Sequence, residues 1–258
     1  MKAVAVIPAR YASARLPGKP LIAIKGKPLI QYVYERVKAS SVEQVIVATD
    51  DERIAAAVRA FGGEAVLTSP RHRSGTERVA EAAAGIDAEI VVNCQGDEPL
   101  IQPEAIDGAV AAFVQDPTIM VTTLITPLEK GEDLGNPHVV KVVVDHAGFA
   151  LYFSRAPIPF PRDLLEKKAA GPCEGNELIA NLEVKELGGY WQHIGLYAFR
   201  KEFLLKLTAL SPSPLEKREK LEQLRILENG YKIKTVICSS PSIGIDTPED
   251  VERFSALI

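Results

Sequence analysis

Three short runs of this chain, Ala3 to Ile7, Gln44 to Ala48 and Glu89 to Cys94, are apolar almost throughout. A strand with one face in water alternates apolar and polar side chains. A continuous run therefore belongs to a strand covered on both faces, as in a parallel sheet between two helical layers. The stretches between the runs supply the helices. Leu29, Ile30, Val33, Tyr34 and Val37 recur at helical spacing behind Pro28, predicting a helix to about Ala39. Thr49-Asp50-Asp51 can cap a second helix, which carries Ile54, Ala57, Val58 and Phe61 and stops at Gly62-Gly63. Glu64 to Leu67 adds a short strand, and the loop Thr68 to Ser74 leads into a third helix over Gly75 to Ala84. This rhythm predicts an α/β fold with a doubly wound, mostly parallel sheet.

Further on, Pro103 opens a helix to about Val114 and Ile119 to Ile125 reads as another strand. The pattern then changes. Val139 to Val144 and Phe149 to Phe153, separated by Asp145-His146-Ala147-Gly148, predict a β-hairpin. Leu164 to Gly189 is polar and weakly periodic, and carries no readable function. Trp191 to Phe199 returns as a strand, followed by a short helix, a helix over about Leu215 to Glu228 ended by Asn229-Gly230, a strand over Tyr231 to Cys238 and a closing helix over Pro248 to Leu257. With 258 residues and 47% hydrophobic content, one domain over residues 1–258, with an elaboration at about 138–190, is the expected organisation.

The loop after the first strand, Pro8 to Pro20, holds Arg10, Arg15 and Lys19 within ten residues. It sits where an open α/β sheet binds anions, at a strand's carboxyl end, so these cations are either a phosphate site or ordinary solvated loop charges. Asp97 follows the fourth strand in the equivalent place. A carboxylate facing a cationic loop suggests a divalent metal bound together with phosphates. Asp246 reads two ways, as a second carboxylate or, with Thr247, as the cap of the helix that Pro248 begins. His72-Arg73-Ser74-Gly75-Thr76-Glu77-Arg78 brings a basic loop to a helix start, which suits an anion or a polar base edge and equally suits a plain N-cap. His193, inside an apolar strand, is either a satisfied core residue or a ligand contact. On a continuous helix Gln223 falls within the apolar arc of Leu221, Leu224, Ile226 and Leu227 with Glu222 at its edge, so the pair either points into a cleft or makes a buried structural hydrogen bond.

Net charge is −4 and no dense Lys/Arg cluster occurs, which argues against a nucleic acid polymer as partner. Cys94, Cys173 and Cys238 lie far apart, without disulfide or zinc spacing. The apolar start is too short for a signal-peptide core, and nowhere do about 18 apolar residues follow one another, so a cytoplasmic protein that does not enter a membrane is expected.

Several ordered motifs together resemble the 3-deoxy-manno-octulosonate (Kdo) cytidylyltransferases. They are Ile7-Pro8-Ala9-Arg10-Tyr11-Ala12-Ser13-Ala14-Arg15-Leu16-Pro17-Gly18-Lys19-Pro20-Leu21, Ser74-Gly75-Thr76-Glu77-Arg78, Asn93-Cys94-Gln95-Gly96-Asp97-Glu98-Pro99 and Tyr152-Phe153-Ser154-Arg155-Ala156-Pro157-Ile158-Pro159. His193-Ile194-Gly195-Leu196-Tyr197, Leu221-Glu222-Gln223-Leu224-Arg225 and Asp246-Thr247-Pro248-Glu249-Asp250 complete the set. The resemblance implies a Rossmann-like sheet of the nucleotide-diphospho-sugar transferase type with an inserted hairpin used for dimerisation, Val139 to Phe153. It implies transfer of CMP from CTP to the anomeric hydroxyl of Kdo, with Mg²⁺ as cofactor, in lipopolysaccharide biosynthesis. On that basis Pro8, Ala9, Arg10, Arg15, Lys19, Arg71, Ser74 and Gln95 would bind the nucleotide, and Arg78, Gln95, His193, Glu222 and Gln223 the sugar acid. Asp97 and Asp246 would hold the metal, acting with Arg15 and Lys19 in catalysis. Phe199 stands where the family pattern has Tyr, and Arg162 to Gly189 is longer than the corresponding connection in compact members.

The nearest alternative is a cytidylyltransferase for another sugar acid such as an N-acylneuraminate. A nucleotide-sugar-dependent glycosyltransferase should carry Asp-x-Asp, which Gln95-Gly96-Asp97 is not, and a dinucleotide oxidoreductase should carry Gly-x-Gly-x-x-Gly after the first strand.

Overall fold

A computed structural model describes residues 1–12, 16–160, 162, 179, 182, 188–239 and 244–258. Arg15, Cys173 and most of the connection Arg162 to Gly189 lie outside them. The chain divides into two compact units, one formed by Met1–Thr122, Gly195–Ala209 and Ser240–Ile258, the other by Thr123–Ile194 and Leu210–Ser239. The hairpin elaboration expected at about 138–190 falls wholly within the second.

In the first unit the apolar runs form β1 (Ala3–Ala9), β4 (Gln44–Thr49), β5 (Glu64–Leu67) and β6 (Ile90–Asn93). A two-stranded ribbon, β2 (Ala23–Ile24) with β3 (Lys27–Pro28), stands apart from that sheet. Val4, Ala5, Val6 and Ile7 expose no surface, so both faces of β1 are covered, as an unbroken apolar run requires. β1 runs parallel to β4, with Ile7 opposite Val47, and to β6, with Val6 opposite Asn93, while β4 runs parallel to β5. The chain moves outward from β1 to β4 and β5, then returns to the other side of β1 for β6. That reversal leaves a crevice at the carboxyl ends of β1 and β6, where open α/β sheets bind ligands. Tyr197–Arg200 of β10 (Trp191–Arg200) adds an antiparallel strand beside β6, so the sheet is mostly parallel, as expected.

Helices α1 (Leu29–Lys38), α2 (Glu52–Ala60), α3 (Gly75–Ala84) and α4 (Pro103–Gln115) lie where the periodicity puts them. Asp51 caps α2 by accepting the Arg53 N–H, and Ser74 caps α3 by accepting the Glu77 N–H.

The second unit contains α5 (Gly131–Gly135) and the predicted hairpin, β8 (Lys141–Val144) antiparallel to β9 (Ala150–Ser154). Trp191 and Gln192 of β10 pair with the other edge of β8, opposite Val142 and Lys141. β7 (Val121–Pro127) meets β11 (Lys234–Ile237) near the Cys238 N–H, which donates to the Ile125 carbonyl at 2.9 Å. After α6 (Lys201–Thr208), which belongs to the first unit, the helix expected over Leu215 to Glu228 is in fact two, α7 (Pro214–Glu219) and α8 (Leu224–Glu228). Lys220, with φ 55°, takes the left-handed conformation that ends a helix. The apolar arc drawn through Leu221 to Leu227 therefore does not exist as one face. The last helix, α9 (Pro248–Leu257), is in the first unit. Among the described residues no helix is long and apolar enough to cross a membrane.

Arg225 on α8 is 5% exposed and donates to both Glu216 oxygens, from Nε at 2.8 Å and from Nη2 at 2.5 Å. Burial alone would raise the Glu216 pKa, but the hydrogen bonds from Arg225 and from the Ser213 N–H outweigh it and hold the carboxyl below its ordinary 4.5. This contribution to stability is thus present above that pH and lost on acidification below it. Glu216→Ala takes the bidentate carboxylate from a buried guanidinium, so a loss of about 3 kcal/mol in unfolding free energy is expected from urea titration at pH 7. A loss below about 1 kcal/mol would place the pair among ordinary surface bridges.

Candidate active site

The crevice at the end of β1 is a cleft of about 440 Å³ built by five stretches of chain. Pro8, Ala9 and Arg10 come from the end of β1 and its loop, Lys19 and Pro20 from a short 3₁₀ turn, His72 to Gly75 and Arg78 from the start of α3, and Gln95, Gly96 and Asp97 from the loop after β6. Asp246 joins them from the segment before α9. Two glycines permit this convergence. A Cβ on Gly96 would stand 2.8 Å from the Pro8 carbonyl oxygen, and one on Gly75 would stand 3.2 Å from Pro8 Cγ. Only a residue without a side chain lets the loop after β6 come so close to the β1 backbone.

At the centre of the cleft the Lys19 ammonium donates to Asp97 Oδ2 at 2.6 Å and to Asp246 Oδ1 at 3.0 Å. Burial is the largest single influence on Lys19 and would lower its pKa. The charges and hydrogen bonds of Asp97 and Asp246 together exceed it, so the pKa lies above the ordinary 10.5 and the group stays charged. The backbone supports the arrangement, since the Ile245 N–H donates to the Asp97 carbonyl at 2.9 Å. The two readings of Asp246 are also resolved. Thr247 caps α9 by accepting the Asp250 N–H, and the Asp250 carboxylate accepts the N–H groups of Asp246 and Thr247. Capping is done by Thr247 and Asp250, and the Asp246 carboxylate accepts from Lys19.

Ser74 fulfils both of its readings, capping α3 and lining the cleft. Arg78 lines the cleft too, but its charge is engaged elsewhere. The side chain is 4% exposed and donates to Asp50 Oδ2 at 2.9 Å and Thr68 Oγ1 at 2.6 Å. Gln95 leans on its strand through Nε2, 3.3 Å from Asn93 Oδ1.

A family profile described as cytidylyltransferase matches residues 4–233. The 3-deoxy-manno-octulosonate cytidylyltransferase of Syntrophotalea carbinolica is 52% identical over 99% of this chain and 98% of its own length, and that of Geotalea daltonii is 51% identical over 98% and 96%. The chain belongs to the Kdo cytidylyltransferase family. Its backbone follows that of a CMP:2-keto-3-deoxy-manno-octonic acid synthetase determined in complex with CTP, with a TM-score of 0.88 at 42% identity, covering 100% of this chain and 98% of that one. The nucleotide-diphospho-sugar transferase type expected from the motifs is therefore the observed fold.

Of the residues that the family motifs single out, Pro8, Ala9, Arg10, Lys19, Ser74, Arg78, Gln95, Asp97 and Asp246 come together around the cleft. Arg71 is exposed and is not among the lining residues; its N–H donates to Ser69 Oγ. Arg15 falls outside the described residues. His72 and Arg73, part of the basic stretch read as suited to an anion but given no role by the family motifs, also line the cleft.

His193, Glu222 and Gln223 belong to the second unit. His193 Nε2 lies 2.9 Å from Thr123 Oγ1, and its ring meets the Phe153 ring edge-on with centroids 5.0 Å apart. Burial pushes its pKa down to about 3, so the imidazole is neutral. Gln223 stands at the start of α8, 7% exposed, and its Nε2 is buried without a hydrogen-bond partner among the described residues. The structural hydrogen bond that would have explained a buried glutamine is not made by this donor, which leaves it suited to a ligand oxygen.

Proposed function

We propose that this chain transfers CMP from CTP to the anomeric hydroxyl of Kdo, releasing pyrophosphate, as a cytoplasmic step of lipopolysaccharide biosynthesis. The observation that carries the reading is Lys19 held between Asp97 and Asp246 at the switch point of the sheet, in a chain 52% identical to a Kdo cytidylyltransferase over almost its whole length. Bond making and breaking both occur at phosphorus. The hydroxyl oxygen bonds to the α-phosphorus of CTP while the bond from that phosphorus to the bridging oxygen of the β-phosphate breaks, and pyrophosphate leaves with the electron pair. Such a displacement needs positioning and charge neutralisation more than a protein nucleophile.

Asp97 and Asp246 fit a Mg²⁺ ion. Their carboxylates already converge on one cation, the Lys19 ammonium, and magnesium takes one or two protein carboxylates with phosphate oxygens and water in its other places. Among the described residues no cluster of three or more His, Cys, Asp or Glu is available, as a fully protein-held metal would need. Bound there, Mg²⁺ would neutralise phosphate charge and polarise the phosphoryl group. Lys19, with Arg10 and Arg73 on the rim and Arg15 of the same loop, would hold the triphosphate and stabilise charge on the departing pyrophosphate. Ser74 and the backbone at Pro8 and Ala9 would receive the cytidine. The hydroxyl proton passes to solvent, and we assign no general base. Arg78, Gln95, His193, Glu222 and Gln223 would serve the sugar acid, where the buried Gln223 amide offers a donor to a carboxylate or hydroxyl. The whole chain would act as one nucleotidyltransferase domain and as a homodimer.

A matrix of four nucleoside triphosphates against several sugar acids, read as pyrophosphate release with Mg²⁺, tests base, acceptor and reaction class together. Release is expected with CTP and Kdo. Release with CTP and an N-acylneuraminate but none with Kdo would overturn the acceptor, and release without any sugar acid would overturn the reaction class.

A further inference from the structure

Lys141, the first residue of β8, is the one lysine among the described residues that is fully buried, with no exposed surface. Its strand lies between two neighbours, and Lys141 is opposite Ser154 on β9 and Gln192 on β10. Among the described residues the ammonium has no salt-bridge partner. It donates to three backbone carbonyls, those of Asn136 at 2.7 Å, Val139 at 2.6 Å and Arg155 at 2.7 Å, which is its full complement of three N–H donors. Burying a charge against neutral carbonyls is a costly way to fill a core position that a methionine could occupy. The arrangement instead joins the two flanks of the hairpin, Asn136–Val139 before the strand and Arg155 after its partner.

These two stretches adjoin two of the groups that His193 meets, the others including Thr123 Oγ1. The His193 N–H donates to the Val140 carbonyl at 2.8 Å, one residue beyond the Val139 carbonyl that Lys141 holds. The Phe153 ring that meets the imidazole edge-on lies two residues before the Arg155 carbonyl. We propose that Lys141 is a positioning residue for the sugar acid: by tying Val139 to Arg155 it holds the backbone and the aromatic wall that orient His193. This rests on the assignment of His193 to the sugar-acid site made above.

The geometry makes the tie sensitive to protonation. A neutral amine keeps two donors for three carbonyls and turns a lone pair toward one of them. Burial lowers the Lys141 pKa to about 8, with Arg155 adding to the effect and Glu219 on α7 and Asp133 on α5 opposing it. His193 is already neutral throughout this range. Lys19, in the first unit, has its pKa raised above the ordinary 10.5 by Asp97 and Asp246 despite its burial.

The first test needs no variant. The KM for Kdo, measured by pyrophosphate release at saturating CTP and Mg²⁺, should rise about tenfold between pH 7 and 9.5, while the KM for CTP stays within about twofold. Lys141→Arg, whose guanidinium does not titrate, should abolish the alkaline rise. Lys141→Met should raise the KM for Kdo about tenfold at pH 7 and leave that for CTP alone. A flat KM for Kdo across this range in the wild type, the same alkaline rise in Lys141→Arg, or equal effects on both substrates in Lys141→Met would each overturn the proposal. NMR separates it from the functional reading. In the protein without substrate the His193 ring resonances should shift as Lys141 titrates, and not in Lys141→Arg. Resonances indifferent to that titration reject the positioning role even if Kdo is not the acceptor, whereas coupled resonances with no release from CTP and Kdo reject only the acceptor.

Discussion

Asp97→Asn is expected to lower kcat by about 10²- to 10³-fold while leaving the protein folded. The substitution keeps the shape and the hydrogen-bonding oxygen that Lys19 meets at 2.6 Å, and removes only the charge. Because the Asp97 side chain is 31% exposed, its ion pair with Lys19 is partly screened, and the urea midpoint should shift by the equivalent of about 1 kcal/mol or less. The separation of a large kinetic effect from a small stability effect is the signature of a group whose charge serves the reaction. Turnover near wild type at saturating Mg²⁺ would remove Asp97 from the metal site. Asp246→Asn, measured in parallel, should behave alike, since both carboxylates meet the same ammonium.

Lys19→Ala is expected to reduce kcat/KM for CTP by about 10²- to 10³-fold and to leave the KM for Kdo within about twofold. The ammonium is 12% exposed and stands between two carboxylates, so its removal both deprives the triphosphate of a buried cation and leaves Asp97 and Asp246 without their shared partner. Raised Mg²⁺ should restore part of the loss, because a metal ion can compensate the carboxylate charge but cannot replace a cation on the leaving group. Weakened Kdo binding with CTP use untouched would mean that the loop faces the other substrate.

The framework of the fold was legible because its signals are local. Unbroken apolar runs marked β1, β4 and β6, helical spacing marked α1 to α4, and Pro103 and Pro248 opened helices where proline is tolerated. The break at Lys220 was not legible. Nothing in Glu219-Lys220-Leu221 is a helix stop by composition, and a left-handed lysine is maintained by what packs around it rather than by its own preference. That single break moved Gln223 from the side of a helix to the start of one and turned an ambiguous glutamine into a buried donor without a partner.

Site residues divide along the same line. Arg10, Lys19, Ser74 and Asp97 stood out because each follows a strand or precedes a helix, places where the backbone itself favours anions or metal-bound phosphate. Lys141 gave no signal at all, since a lysine in an otherwise apolar strand reads as an exposed edge residue until the carbonyls around it are seen.

The order of residues alone dictated a parallel α/β sheet with a cationic loop at the end of its first strand, because burial on two faces and helical period are written in neighbouring side chains. Only the tertiary structure decided that Asp246 is a partner of Lys19 and not a helix cap. The two are 227 residues apart in the chain and 3.0 Å apart in space, and electrostatic attraction depends on the second distance alone.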